Sequence, residues 1–140
     1  MILNQLKDNV NIIKKLIMCW IGKNKPKIAK CDIQVYKIVF CNDRSYYQNY
    51  QYHDGLQNQI IIESGSFIAK YCCIKEGYHS YADLFMANFY YGNIKIVPCI
   101  IPKGIKYYVN DCNEVVSENI IYNKELSSFK KFISEFIIKL

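Results

Sequence analysis

A succession of short apolar or β-branched runs, each closed by a turn signal, constrains this chain more than anything else in it. The runs are "DIQVYKIVF" (32–40), "YYQNYQY" (46–52), "QIIIE" (59–63), "FIAKYCCI" (67–74), "IKIVPCIIP" (94–102), "IKYYV" (105–109) and "EVVSENIIY" (114–122). Between them stand "NDRS", "HDG", "SGS", "KG" and "NDCN", the Gly, Asn, Asp and Ser chemistry of tight turns. Runs this short, bounded this way, predict a mostly antiparallel sheet; 67–74 reads either as a strand or as a short helix. Pro98 cannot donate to a ladder, so its strand is expected to meet an edge or a bulge there.

Three other segments step at helical spacing. Leu3, Leu6, Val10, Ile13 and Ile17 form one seam, and Leu126, Phe129, Ile133, Phe136 and Leu140 another. In "EGYHSYADLFMANFYYGN" (76–93), Ser80 stands three residues before Asp83 like a capping box, Ala82, Phe85, Met86 and Phe89 share one face, and Gly92 supplies a stop. The expected architecture is α+β: a mostly antiparallel sheet around one internal helix, with amphipathic helices at both termini. The boundaries are an N-terminal helix over 1–22, a basic linker over 23–31 containing Pro26, a core domain over 32–123 and a C-terminal helix over 124–140. The terminal helices either pair with each other, cover the sheet, or join copies of the chain into a homo-oligomer.

At 140 residues the chain suits one domain. Lys and Arg number 18 against 12 Asp and Glu, a net charge of +6 that favours an anionic partner. Arg44 is the only arginine, which argues against sequence-specific DNA reading, where bidentate Arg is the usual partner of guanine. The 7 cysteines show no Cys-x-x-Cys spacing, so structural zinc is not expected; Cys31, Cys41, Cys72 and Cys99 read as small hydrophobes in or beside strands. Free thiols predict a reducing, cytoplasmic setting. The first residues lack the basic, apolar and small-residue pattern of a secretory leader and no apolar run reaches about 18 residues, so neither export nor a membrane partner is expected. His53 reads as a solvated turn residue, and Asp43, Asp54, Asp83 and Asp111 as turn or helix-start residues rather than metal ligands. No catalytic residue and no cofactor are specified.

A helix beginning after Ser80 would turn its first N–H groups and a partial positive charge toward solvent, a setting that suits a phosphate. Beside it His79 is placed to donate to an anion or to stack, and Tyr36, Tyr78, Tyr81 and the face formed by Tyr46, Tyr50 and Tyr52 offer rings and hydroxyls for a base. The structural alternative makes Ser80 a plain N-cap, His79 a partly buried strand-end residue and the tyrosines amphipathic core edge.

The order "MCW.G", "G.HS" and "IPKG..Y" resembles a group of small uncharacterised proteins of gut anaerobic bacteria and their bacteriophages, over about residues 18–122. At fold level, "VYKIV", "GYHSYADLFMANFY", "VPCIIPKGIKYYV" and "EVVSENIIY" together resemble the ADP-ribosyltransferase fold. That resemblance places Tyr36 or Lys37 at the first-strand position, His79 and Ser80 in the Ser-centred segment, and Asn119 where active members carry the catalytic carboxylate. Glu118 is displaced by one residue and thus faces the other way. An amide cannot supply the negative charge that steadies an oxocarbenium-like centre. The resemblance therefore implies a scaffold that binds without turnover, unless Glu118 or Glu114 faces the pocket.

Three functions are expected on these grounds. The first is a non-enzymatic binding protein of phage or mobile-element type, capturing a small anionic nucleotide-like ligand such as a host-defence signal in the host cytoplasm. Its ligand-binding residues are Tyr36, Lys37, Tyr78, His79, Ser80, Tyr81 and Asn119. The second is an ADP-ribosyltransferase-like or nucleotide-cleaving enzyme. The third is a protein-interaction or virion-associated structural protein.

Overall fold

Strict alternation of inward and outward side chains turns most of the apolar runs into strands. A computed structural model describes residues 19–46, 49–85, 87, 90 and 92–129. Its strands are β1 (Trp20–Lys23), β2 (Lys27–Ile28), β3 (Ile33–Phe40), β4 (Gly55–Leu56), β5 (Gly65–Ser66) and β6 (Tyr71–Ile74). They continue with β7 (Tyr78–Tyr81), β8 (Ile94–Ile101), β9 (Lys106–Val109), β10 (Glu114–Ser117), β11 (Ile121–Tyr122) and β12 (Ser128–Phe129). One sheet runs β2-β9-β10-β7-β3-β8-β11-β4, with β12 also on β8; a three-stranded sheet runs β1-β6-β5. Every pairing in both sheets is antiparallel.

The larger sheet is organised by β3 and β8, which pair along their whole length from Ile33↔Ile101 to Phe40↔Ile94. Pro98 lies inside β8, not at a bulge. On the far side of β8 the partners stop at Cys99 (β11) and resume at Ile96 (β12), so Pro98 falls where that ladder is interrupted and a missing N–H costs little. One face of this sheet buries Val35, Val39, Val97, Cys99, Ile101, Val115, Tyr78 and Tyr122 with Tyr52 laid against them. On the opposite face Ile38, Ile94 and Ile96 pack with Ala87 and Tyr90, and Val116 and Tyr108 pack with Trp20, Cys72 and Ile74 of the small sheet.

The α+β expectation is overturned: among the described residues no helix reaches seven residues, and the protein is a mostly antiparallel β structure. The internal helix does not begin at Ser80, because Tyr78–Tyr81 is strand β7, paired over four residues with β10. Asp83 caps no α-helix among the described residues. Its carboxylate accepts the Phe85 N–H at 3.0 Å and the Asn113 side-chain amide at 2.9 Å, an Asx turn tied to the next hairpin. Met86 and Phe89, which share the expected helical face, lie outside the described residues.

The described end of segment 1–22 is strand rather than helix, with Trp20 sealed in the core and its ring N–H donating to the Glu114 carbonyl at 2.8 Å. Residues 1–18 and their seam lie outside the described residues. At the other end, Lys124–Leu126 makes a single 3-10 turn before β12, and 130–140 lie outside the described residues. Inside the expected linker, Lys27 and Ile28 pair with β9 and Ala29 is buried. Among the described residues the runs 46–52 and 59–63 carry no named strand: Asn49 stands at φ 53°, and Tyr46 lies on one face while Tyr50 and Tyr52 lie on the other. The second is held by Glu118, whose backbone carbonyl accepts the Ile60 N–H and whose carboxylate accepts the Ile62 N–H. The run 67–74 resolves as strand β6. Cys72 and Cys99 are buried as expected of small hydrophobes, whereas Cys31 and Cys41 are exposed.

Candidate functional site

Because 78–81 is a strand, its side chains alternate, and the residues expected to share one pocket divide between two faces. Tyr36 pairs with Tyr81, and Val116 with His79, so Tyr36, His79 and Tyr81 share the outer face of β3 and β7. Lys37, Tyr78 and Ser80 point to the inner face. Asn119 lies beyond β10, buried, with its side-chain oxygen accepting the N–H of Ile120 at 2.8 Å.

The inner group is sealed. Lys37 is 5% exposed; its ammonium donates to the His79 carbonyl and lies 4.8 Å from the centroid of the Tyr52 ring. Burial pulls it down to about 8, so it still carries its proton at neutral pH. Tyr78 donates to the Asn58 carbonyl, and its phenol is pushed well up by burial and by Tyr50. Ser80 and Ser117 are both buried, and neither hydroxyl has a hydrogen-bond partner among the described residues. Ser117 was not singled out in the sequence; its inward position in "EVVSENIIY", two residues from Val115, is the signal that marks it.

A second polar cluster lies on the same side, where Asp43 stands at φ 64°, a left-handed conformation that Asp tolerates. Its carboxylate takes the Lys95 ammonium at 2.6 Å, the Tyr122 hydroxyl at 2.6 Å and the Lys124 ammonium at 3.4 Å. Burial alone would raise this carboxyl, but these donors outweigh it and hold it below the usual carboxylate value.

The outer group is partly open to solvent. Tyr36 and Tyr81 are partly exposed, next to Pro98, which pairs with Tyr36. The Tyr81 hydroxyl meets that of Tyr90, and Tyr90 packs edge-on to Tyr46 with ring centroids 4.8 Å apart. His79 bonds the Lys75 carbonyl through Nε2 at 3.3 Å, which assigns the proton to that nitrogen. Burial, with the Lys37 charge behind it, lowers the imidazole to about 4, so the ring is neutral at pH 7. This face thus presents two phenol rings and one neutral imidazole, with stacking surface and hydrogen-bonding atoms but no charge of its own.

Both glutamates near the position where the transferase resemblance would need a carboxylate have a neighbour among the described residues. Glu118 is occupied by the Ile62 N–H at 2.8 Å, and Glu114 stands beside the Asn110 amide at 3.5 Å. Among the described residues no group of three His, Cys, Asp or Glu side chains is placed to hold a metal. A shallow cleft of about 220 Å³ lies elsewhere, between β1 and the β9–β10 turn, with Lys23, Tyr71, Asn110 and Cys112 on its walls and none of the expected site residues. Among the described residues no helix is long and apolar enough to cross a membrane. No protein family, curated protein or solved structure matches this chain.

Proposed function

We propose that the protein is a non-enzymatic binding module that captures a small anionic nucleotide-like ligand on the outer face of β3 and β7. What carries this reading is the register that sets Tyr36 opposite Tyr81 with His79 on the same face. Rings presented side by side on a sheet are stacking platforms for a planar base, each contact contributing roughly 1–3 kcal/mol. The neutral imidazole of His79 keeps its Nδ1 as an acceptor for a base N–H, and the net charge of +6 draws an anion toward the surface. Stacking and hydrogen bonding need no turnover, and Glu118, the nearest carboxylate to the transferase position, is engaged by the backbone. Sequestration of a signal nucleotide, as expected of a phage or mobile-element protein, requires affinity alone.

The test is native mass spectrometry of the purified protein, followed by calorimetric titration with NAD, ADP-ribose and cyclic nucleotides. Binding with release of the intact ligand is expected, and Tyr36→Ala should weaken it by about 5- to 150-fold, the equivalent of one lost stack. Unchanged affinity in both Tyr36→Ala and His79→Ala refutes this face as the site; a cleaved ligand refutes the non-enzymatic reading.

A second reading, a protein-interaction role, is favoured by the exposed apolar side chains Ile61 (78%) and Ile68 (65%). Assembly through the terminal segments belongs to the same reading. Leu6→Asp combined with Ile13→Asp should then lower the mass measured by light scattering, and an unchanged mass argues against that seam as an interface.

A further inference from the structure

The inner face of β3, β7 and β10 holds a buried cation and two buried hydroxyls that have no hydrogen-bond partner among the described residues. The register through Tyr36 and Tyr81 sets Lys37 beside Ser80 on that face. Ser80 pairs with Val115 and Ser117 with Tyr78, so the two serines are diagonal neighbours across β7 and β10. Diagonal neighbours have Cα atoms about 7–8 Å apart, whereas two hydroxyls bond each other at about 2.8 Å. That separation leaves room for one atom between the two side chains. Both Oγ atoms are fully buried without a partner among the described residues, while most buried polar groups in native proteins are satisfied.

Charge decides what that atom is. Lys37 uses one N–H on the His79 carbonyl and turns toward the Tyr52 ring, which leaves a donor uncommitted. Among the described residues no carboxylate reaches it: both ion pairs belong to Asp43, with Lys95 and Lys124 as partners. The Cys99 thiol, pushed up to about 12 by burial, remains neutral and supplies no counter-charge. A carbonyl and a ring offset only part of the cost of burying that charge, and an anion that also accepts from the surplus donors would offset more. Water would satisfy the hydroxyls and leave the charge.

We propose that Lys37, Ser80 and Ser117 line an internal site for one small monovalent anion of halide size, held between β3, β7 and β10. This site is independent of the outer face and binds no nucleotide. The anion bridges three adjacent strands at the centre of the large sheet and neutralises the lysine where no carboxylate does so.

Bromide tests it directly. In protein refolded and crystallised from bromide, anomalous diffraction at the bromine edge should place a peak within bonding reach of the Lys37 ammonium and the Ser80 hydroxyl. A water there, or a gap with no anomalous signal, overturns the proposal. In solution, melting temperature is followed in bromide against sulfate at equal ionic strength for the wild type and for Ser80→Ala combined with Ser117→Ala, small changes that leave Lys37 in place. A bromide-dependent rise that is lost in the double variant is expected; equal responses in the two proteins overturn it.

Discussion

Replacing Asp43 by Asn should remove more stability than almost any other single change of equal size. The side chain keeps its shape, and Asn tolerates the left-handed backbone at φ 64° as well as Asp does. What disappears is the charge opposite Lys95, whose side chain is 10% exposed and whose ammonium stands 2.6 Å from the carboxylate. Removing one member of a buried ion pair costs about 3–5 kcal/mol, because the survivor is left charged in a poorly solvated place. For a domain of this size that corresponds to a fall in Tm of roughly 10–20 °C.

Urea and thermal unfolding, followed through the single buried Trp20, give the number. Asp43→Asn with Lys95→Met should recover most of the loss, since neither charge then remains. pH supplies an independent check. The carboxyl is held below its ordinary value, so its contribution is complete above about pH 4, the unfolded value, and disappears as pH falls through the folded one. Wild type should lose this increment on acidification and Asp43→Asn should not. A single variant costing under about 1 kcal/mol, or a double variant no better than the single, refutes the reasoning.

Three further outcomes follow from the same geometry. Gly77 has φ +147°, and a Cβ there would meet Val116 Cγ2 at 2.5 Å, so Gly77→Ala should cost about 1–3 kcal/mol in denaturant titration, and a neutral effect would mean that the β6–β7 turn relaxes freely. His79 is lowered to about 4, so stability is complete above its unfolded value near 6.5 and falls on acidification toward pH 4 by up to about 1.4 kcal/mol per pH unit; His79→Gln should flatten that window, and an unchanged slope would place the imidazole in solvent. Glu118→Ala leaves the Ile62 N–H without its acceptor at 2.8 Å and should cost about 1–3 kcal/mol with faster hydrogen exchange at Ile62; full stability would mean that the carboxylate has no structural task.

Where alternation alone decided the matter, the sequence was easily read. The runs at 33–40, 94–101 and 106–109 became strands with nearly the expected ends, since each carries its own β-branched or aromatic pattern. Segments whose partners are remote were misread. "YHSYADLF" offers a local capping box and a helical face, yet its first four residues gain a ladder with Glu114–Ser117 that no short window contains. Trp20 ends an apparent helix, but its ring N–H finds the carbonyl of Glu114, 94 positions later. The site followed from the same error: a helix start would have gathered His79, Ser80 and Tyr81, whereas a strand sends Ser80 inward and the other two outward. Tyr36 opposite Tyr81 needed the register between strands, which composition does not encode.

The pairing of β3 with β8 also dictates how the chain must behave while it is being made. Strand β3 is complete at Phe40, but its full-length partner ends at Ile101, so at about 5–20 residues per second the ribosome leaves β3 without that partner for roughly 3–12 s. During that interval "IQVY" and "IVF" would form one continuous sticky ribbon were it not for the charge between them. Lys37, a burden once enclosed, is in the nascent chain a gatekeeper against intermolecular pairing.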